Sequence, residues 1–325
     1  MNFKQYFSQW LELKRCELEV STFEAYTIYV YRHLIPYFGE IDIEELNPLM
    51  IQKYVSDKLR NGRCDGSGGL SRTSVKKHLQ IIREAFSDAV RYGMLQNNPA
   101  NLVKLPKQRR GSERAMVFLD AEKAKELLSS FRDTRLYPVV LITLFYGLRR
   151  SEVLGLTWSA VDFDSNTISI VRTVVKNVTI IEKDTTKSDY SRRRYELVPD
   201  VRSELLRLRV SQELNERFRS GIGLDYVKSD YIFIWEDGKL YRPDFLTRSF
   251  QRHLARHGFP KMRFHDLRHS TASILFDRGW SLRDVQEWLG HADISTTSDI
   301  YVHYGRGRKK LVAKDLSGIF SDEEQ

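Results

Sequence analysis

A chain of 325 residues with 41% hydrophobic and 29% charged content is long enough for two domains with cores of their own and too apolar for a disordered polymer. Lysine and arginine number 52 against 43 acidic residues, a net charge of +9 that favours a polyanionic partner, nucleic acid first, over an acidic or neutral one. Its only cysteines, Cys16 and Cys64, exclude a disulfide framework and a cysteine-based zinc site, and fit a reducing cytoplasm.

The chain opens MNFKQYFSQWLELKR, an amphipathic pattern without the apolar core of a signal peptide, and no stretch approaches the ~20 apolar residues of a membrane span. Phe3, Tyr6, Phe7, Trp10 and Leu13 recur at helical spacing and are expected to face one core. Ser21 with Glu24 reads as a capping box ahead of Tyr26, Tyr29, Val30, Leu34 and Ile35, and Asn47-Pro48 as the N-cap and first-turn proline of a further helix. After the glycine-rich stretch 62–69, Ser71 opens a long helix carrying Val75, Leu79, Ile82 and Phe86 that ends before Gly93. Residues 1–103 are thus read as a helical bundle.

Residues 104–117 lack apolar periodicity and gather Lys104, Lys107, Arg109, Arg110 and Arg114. They read as a basic linker, either a solvated connector or a strap across DNA phosphates. A second domain is expected over 118–310. Asp120 caps a helix from Ala121 to Leu128, and an apolar helix follows from Tyr137 to Tyr146. After Trp158 the period changes to two through Ile168, Ile170, Val174-Val175, Val178, Ile180 and Ile181, predicting one small strand layer with a turn near Lys176-Asn177. From Pro199 the chain reads mostly helical, apart from the run Tyr231 to Trp235, and residues 311–325 form a tail with a short apolar stripe. The fold class is mainly α with a small β-sheet.

Six of the eight histidines fall in the last quarter of the chain. His265 and His269, like His253 and His257, have an i, i+4 spacing that can bind zinc, but His265 is followed by Asp266 rather than by the glutamate of the zinc-protease helix. A sharper pattern joins Gly147-Leu148-Arg149-Arg150-Ser151-Glu152, His265-Asp266-Leu267-Arg268-His269, Leu289-Gly290-His291 and Thr296-Thr297-Ser298-Asp299-Ile300-Tyr301-Val302-His303. These motifs, in this order, resemble the tyrosine recombinase family of phage integrases. The likeness covers nearly the whole chain, with the early bundle as a core-DNA-binding domain and the second domain as the α+β catalytic domain.

The resemblance implies a site-specific recombinase that cuts and rejoins DNA through a 3′-phosphotyrosine on Tyr301, with no metal or ATP. Arg149 and Arg268 would hold the non-bridging phosphate oxygens, as guanidinium forks suit them to do. Arg150 stays open as a rival for the first position. His265 would act as base and His291 would orient the phosphate, while Lys187 would protonate the leaving 5′ oxygen, with Lys183 and Lys176 as rivals. Glu152 matches an acidic position that orients a neighbouring arginine or histidine, and a buried structural role is open to it too. Tyr301 follows His291 by ten positions, resembling integrases of mobile elements more than the resolution recombinases of chromosomes. The implied partners are double-stranded attachment sites and a homotetramer on two duplexes; with Met1 leading straight into the expected core-binding bundle, either the system is simple or accessory proteins bend its DNA. A type IB topoisomerase and a non-catalytic DNA-binding regulator remain as rivals.

Overall fold

The computed structural model describes residues 1–107, 117–176, 180–183 and 193–290. It divides into two compact units, Met1–Arg114 and Ala115–Gln325, each built around its own apolar core.

In the first unit, α1 (Phe3–Glu17) starts in a capping box: the Asn2 side chain accepts from the Gln5 amide at 2.9 Å and the Gln5 side chain from the Asn2 amide at 3.2 Å. Its buried face begins with Phe3, Tyr6, Phe7 and Trp10 as the spacing predicts, but continues through Leu11 and Lys14, leaving Leu13 exposed. At 3.6 residues per turn, positions 3, 7, 10 and 14 share a face that position 13 leaves by about 100°. Lysine is tolerated there because its ammonium meets Glu17 at 2.6 Å and Asp88 at 3.2 Å, and Asp88 also accepts from the Trp10 indole at 2.8 Å.

The next helix, α2 (Val20–Tyr29), begins earlier than the Ser21 cap predicts: the amides of Thr22 and Phe23 both donate to the Glu19 carbonyl, at 2.8 and 2.9 Å, so Ser21 already lies inside the helix. A π-helical turn, Val30–Leu34, leads into α3 (Ile35–Phe38). Asn47 caps α4 (Pro48–Asn61) by accepting from Met50 at 3.1 Å, and Ser71 caps α5 (Arg72–Arg91) by accepting from Ser74 at 3.1 Å. The chain beyond α5 returns along the bundle: Lys104 and Gln52 exchange two hydrogen bonds of 3.0 Å, and Arg72 donates to the Pro106 carbonyl at 2.9 Å.

In the second unit Asp120 caps α6 (Ala121–Ser130) through the Lys123 amide at 2.8 Å, and the apolar α7 (Tyr137–Tyr146) is largely buried. After α8 (Arg150–Leu154) come β1 (Val161–Asp162), β2 (Thr167–Ile170), β3 (Thr173–Lys176), β4 (Ile180–Lys183) and β5 (Arg193–Glu196). The expected single strand layer is in fact two. One antiparallel sheet has the order β1-β2-β5, with Ile168 opposite Tyr195 and Ile170 opposite Arg193, while β3 and β4 form a separate hairpin. The break falls where the backbone at Arg172–Thr173 presses against Gly155, at the end of α8. A Cβ on that glycine would stand 2.3 Å from the Arg172 carbonyl oxygen.

Helices α9 (Pro199–Gly221), α10 (Pro243–Arg256), α11 (Asp266–Asp277) and α12 (Leu282–Leu289) complete the described part. Between α9 and α10, the run from Tyr231 to Trp235 makes only isolated bridges, Tyr231 to Thr157 and Ile234 to Leu240. His253 of the first spaced histidine pair ties α10 to α6, contacting the Ser130 hydroxyl at 2.9 Å and stacking on Phe131. No helix among the described residues is long and apolar enough to cross a membrane.

Candidate active site

The turn between α7 and α8 explains why Gly-Leu-Arg is written there. Gly147 ends α7 in the left-handed region at φ 61°, where a side chain is strained, and a Cβ would meet Leu289 at 2.1 Å. Leu148 is fully buried and anchors the turn. Arg149 then follows as the N-cap residue of α8, with its side chain about one-third exposed.

Glu152, third in α8, is 2% exposed and is the centre of the site. One of its oxygens accepts from the Arg149 amide at 2.8 Å and the other pairs with Arg149 Nη1 at 2.5 Å. Arg193 Nη2, from the start of β5, reaches it at 2.8 Å, and Arg268 Nη1, from α11, approaches to 3.8 Å. Burial pushes the Glu152 carboxyl up, but Arg193, Arg149 and Arg268 together outweigh it and hold the group below its ordinary value. Three guanidinium groups around one carboxylate leave a local excess of positive charge.

Arg268 is completely buried. Its Nη1 donates to the Gly147 carbonyl at 2.7 Å and its Nη2 to the Leu289 carbonyl at 2.6 Å, so its plane is fixed by two segments distant in sequence. Burial and the neighbouring Arg149 charge pull its pKa down to about 9, leaving it a cation at neutral pH. Arg150, by contrast, is exposed and turned to the Thr247 hydroxyl at 2.8 Å. Of the two arginines left open by the motif, Arg149 is the one at the cluster.

His265 precedes α11 in a turn held by Arg263 and Asp266: the Arg263 amide donates to the Asp266 carboxylate at 2.7 Å and its guanidinium grips the other oxygen at 2.9 Å. The His265 pKa is lowered to about 4, by burial first and then by His269, Arg268 and Arg149, so its imidazole is neutral at pH 7. His269, one turn on, lies edge-to-face to it with ring centroids 4.8 Å apart.

The structure therefore brings Arg149, Glu152, His265 and Arg268 into one site. Lys104 and Lys107 are exposed at the end of the described N-terminal unit. Lys187, His291, Tyr301, Arg109, Arg110 and Arg114 lie outside the described residues. Sequence reasoning missed Arg193. The available signal was its place in Arg192-Arg193-Arg194 ahead of a strand, where alternation puts Arg193 on the same face as Tyr195 and Leu197.

Comparison with known proteins shows the family and the fold. The family model described as "Phage integrase family" matches residues 117–307, and "Phage integrase, N-terminal SAM-like domain" matches residues 2–59. A tyrosine recombinase XerC-like protein of Caldanaerobacter subterraneus is 28% identical over 96% of this chain and 81% of its own. The ICEBs1 integrase of Bacillus subtilis is 27% identical over 94% of this chain and 81% of its own. Among solved structures, the Tn1549 transposon integrase in complex with a circular intermediate DNA superposes with a TM-score of 0.76 at 17% identity, covering 96% of this chain and 99% of that one. A lambda integrase tetramer bound to a Holliday junction gives 0.67 at 15% identity, over 92% and 77%.

Proposed function

This chain belongs to the phage integrase family and is a tyrosine-type site-specific recombinase, and from that premise we propose how its residues divide the reaction. The observation that carries the reading is the convergence of Arg149 and Arg268 on the buried Glu152, with a neutral His265 in reach of both arginine charges. Such a site is built to receive a phosphodiester. Partly exposed Arg149 meets the phosphate from the solvent side and buried Arg268 supplies fixed charge beneath it, both opposing the negative charge that grows on the non-bridging oxygens.

The nucleophile in this reading is Tyr301. A phenol of ordinary pKa about 10 needs its proton removed as it attacks, and the neutral imidazole of His265 accepts it. The new bond joins the Tyr301 oxygen to phosphorus, the bond from phosphorus to the 5′ oxygen breaks, and Lys187 gives the leaving oxygen its proton. His291 hydrogen-bonds the phosphate. Reversal with a 5′ hydroxyl from another strand restores the phosphodiester, so the exchange consumes no external energy source. Arriving negative charge raises the His265 pKa from its low starting value, improving it as a base when DNA is bound.

DNA is the substrate, and the finer partners follow the same reading: two attachment-site duplexes held by four protomers, integration or excision of a mobile element, accessory DNA-bending proteins, and work at the bacterial nucleoid. Residues 1–103 form the core-DNA-binding domain, 118–310 the catalytic domain and 311–325 a tail that docks either on a neighbouring protomer or on its own domain. Lys104, Lys107, Arg109, Arg110 and Arg114 of the linker lie along DNA phosphates. The test uses nicked suicide substrates from the flanks of the element, with EDTA present, comparing wild type and Tyr301→Phe for SDS-resistant protein–DNA complexes. A covalent band in the wild type alone is expected. A band from both proteins would remove Tyr301 from this role, and DNA binding without a band from either would remove the cleavage reading.

A further inference from the structure

Arg193 is the most heavily committed side chain at the site for which the reaction as described has no use. With a side chain only 7% exposed, it starts β5, six residues after Lys187 in the chain. Its Nη2 donates to Glu152, whose other oxygen holds Arg149. The rest of its guanidinium lies directly under Gly290: a Cβ there would stand 2.6 Å from Cδ, 2.8 Å from Nη1 and 2.9 Å from Nε. Nε and Nη1 are buried and have no hydrogen-bond partner among the described residues. The aliphatic stem and guanidinium pass the Tyr195 ring at 5.7 Å, and the Tyr195 hydroxyl donates to the Trp288 carbonyl near the end of α12.

A buried cation with two unmet donors costs stability, and a fold that only needed to fill this space would do so more cheaply with a leucine or methionine. What the guanidinium adds is connection. It joins the strand downstream of Lys187, the carboxylate that sets Arg149, and the left-handed Gly290 that immediately precedes His291. Resting on the reading of the site given above, we propose that Arg193 is a positioning residue for strand cleavage, which holds Arg149 through Glu152 and sets the backbone from which His291 departs. Gly290 is required there both by its φ of 64° and by the guanidinium pressed against its α-carbon.

The experiment measures covalent complex formation on the nicked substrate under single turnover, with DNA affinity and thermal unfolding recorded beside it. Arg193→Ala is expected to slow cleavage at saturating DNA about 100-fold, the scale of a small misplacement of reacting groups, with the dissociation constant for DNA little changed. Arg193→Lys, which keeps the charge on Glu152, recovers part of that loss. Among the described residues Arg193, Arg149 and Arg268 are the charges facing Glu152, so Arg193→Ala also raises the Glu152 carboxyl and moves its share of the acidic limb of the rate profile, distinct from that of His265, to higher pH. A purely structural role lowers the unfolding temperature without moving that limb.

Gly290→Ala probes the same contact from the other side and slows cleavage with DNA binding kept. In a double-mutant cycle its added cost shrinks on the Arg193→Ala background, because the clash with the guanidinium is gone there while the left-handed strain at position 290 stays the same. An Arg193→Ala protein that binds DNA and cleaves within about threefold of wild type, with an unmoved acidic limb, would overturn the proposal. If that variant fails to fold, a Gly290→Ala protein cleaving at the wild-type rate does the same. These outcomes need a covalent band from the wild type, so failure of the Tyr301 reading shows as its absence and is distinguishable.

Discussion

Replacing Glu152 by glutamine keeps the volume of the side chain and removes the one carboxylate that opposes three guanidinium groups. Arg149 is a third exposed, so solvent screens part of its share. The larger effect comes from Arg193 and Arg268, both buried, whose charges are left facing each other at a carboxylate that was 2.8 and 3.8 Å away. Removing one partner of a buried ion pair costs about 3–5 kcal/mol, and in a domain of 150–250 residues each kcal/mol moves the unfolding temperature by about 2–4 °C. A fall of about 6–20 °C is expected by calorimetry. Duplex DNA, whose phosphates replace some of the missing negative charge, should restore more of the unfolding temperature in the variant than it adds to the wild type.

The pH dependence has a definite sign. A carboxyl held below its unfolded value of 4.5 contributes stability that is complete above that pH and is lost as the pH falls through the folded value. Wild type therefore loses stability below pH 4.5 more steeply than Glu152→Gln. An unfolding temperature within about 2 °C of wild type at pH 7 would refute the account of Glu152 as the electrostatic centre of the site.

Arg149→Ala should slow covalent complex formation by about 10²–10³, whereas Arg150→Ala, which loses only an exposed bond to Thr247, should stay within about threefold; equal losses would return the choice between them to the open state. The second-order rate of complex formation should keep its acidic limb below pH 6.5, because His265 in the free protein stays neutral down to about pH 4; a limb at or above 6.5 would exclude His265 as the base. In the N-terminal unit, buried His78, hydrogen-bonded through Nδ1 to the Tyr54 hydroxyl, should titrate near pH 3 by NMR, and stability should be lost from pH 6.5 downward as the unfolded imidazole takes up its proton first. A His78 midpoint near 6.5 counts against that burial. Gly147→Ala should lower stability by at least ~1–2 kcal/mol in denaturant unfolding, since it combines a left-handed φ with a clash against Leu289.

Where a structural decision is local, the residues announce it. Asn47, Ser71 and Asp120 cap the helices they introduce, and α7 runs over the predicted Tyr137–Tyr146. The motif residues Arg149, Glu152, His265 and Arg268 assemble as their order implies. The departures come where distant partners decide. Lys14 displaces Leu13 from the core because Asp88, on α5, is there to neutralise it. Ser21 is absorbed into α2 by the Glu19 carbonyl. The strand layer splits because Gly155 lets the chain at Arg172 pass too close to stay in register. Arg193 was hidden for the same reason: three consecutive arginines look alike until a buried glutamate and a glycine from elsewhere select one of them.

The two carbonyls that hold Arg268 close the C-terminal ends of α7 and α12. Aligned peptide dipoles give each such end about half a negative charge, so the pair offers the buried cation roughly one electron's worth of compensation from the main chain alone. That contribution has no proton to gain and no side chain to substitute. When acid neutralises Glu152, the backbone still keeps the guanidinium in place, and the geometry of the anion pocket outlasts the charge balance that surrounds it.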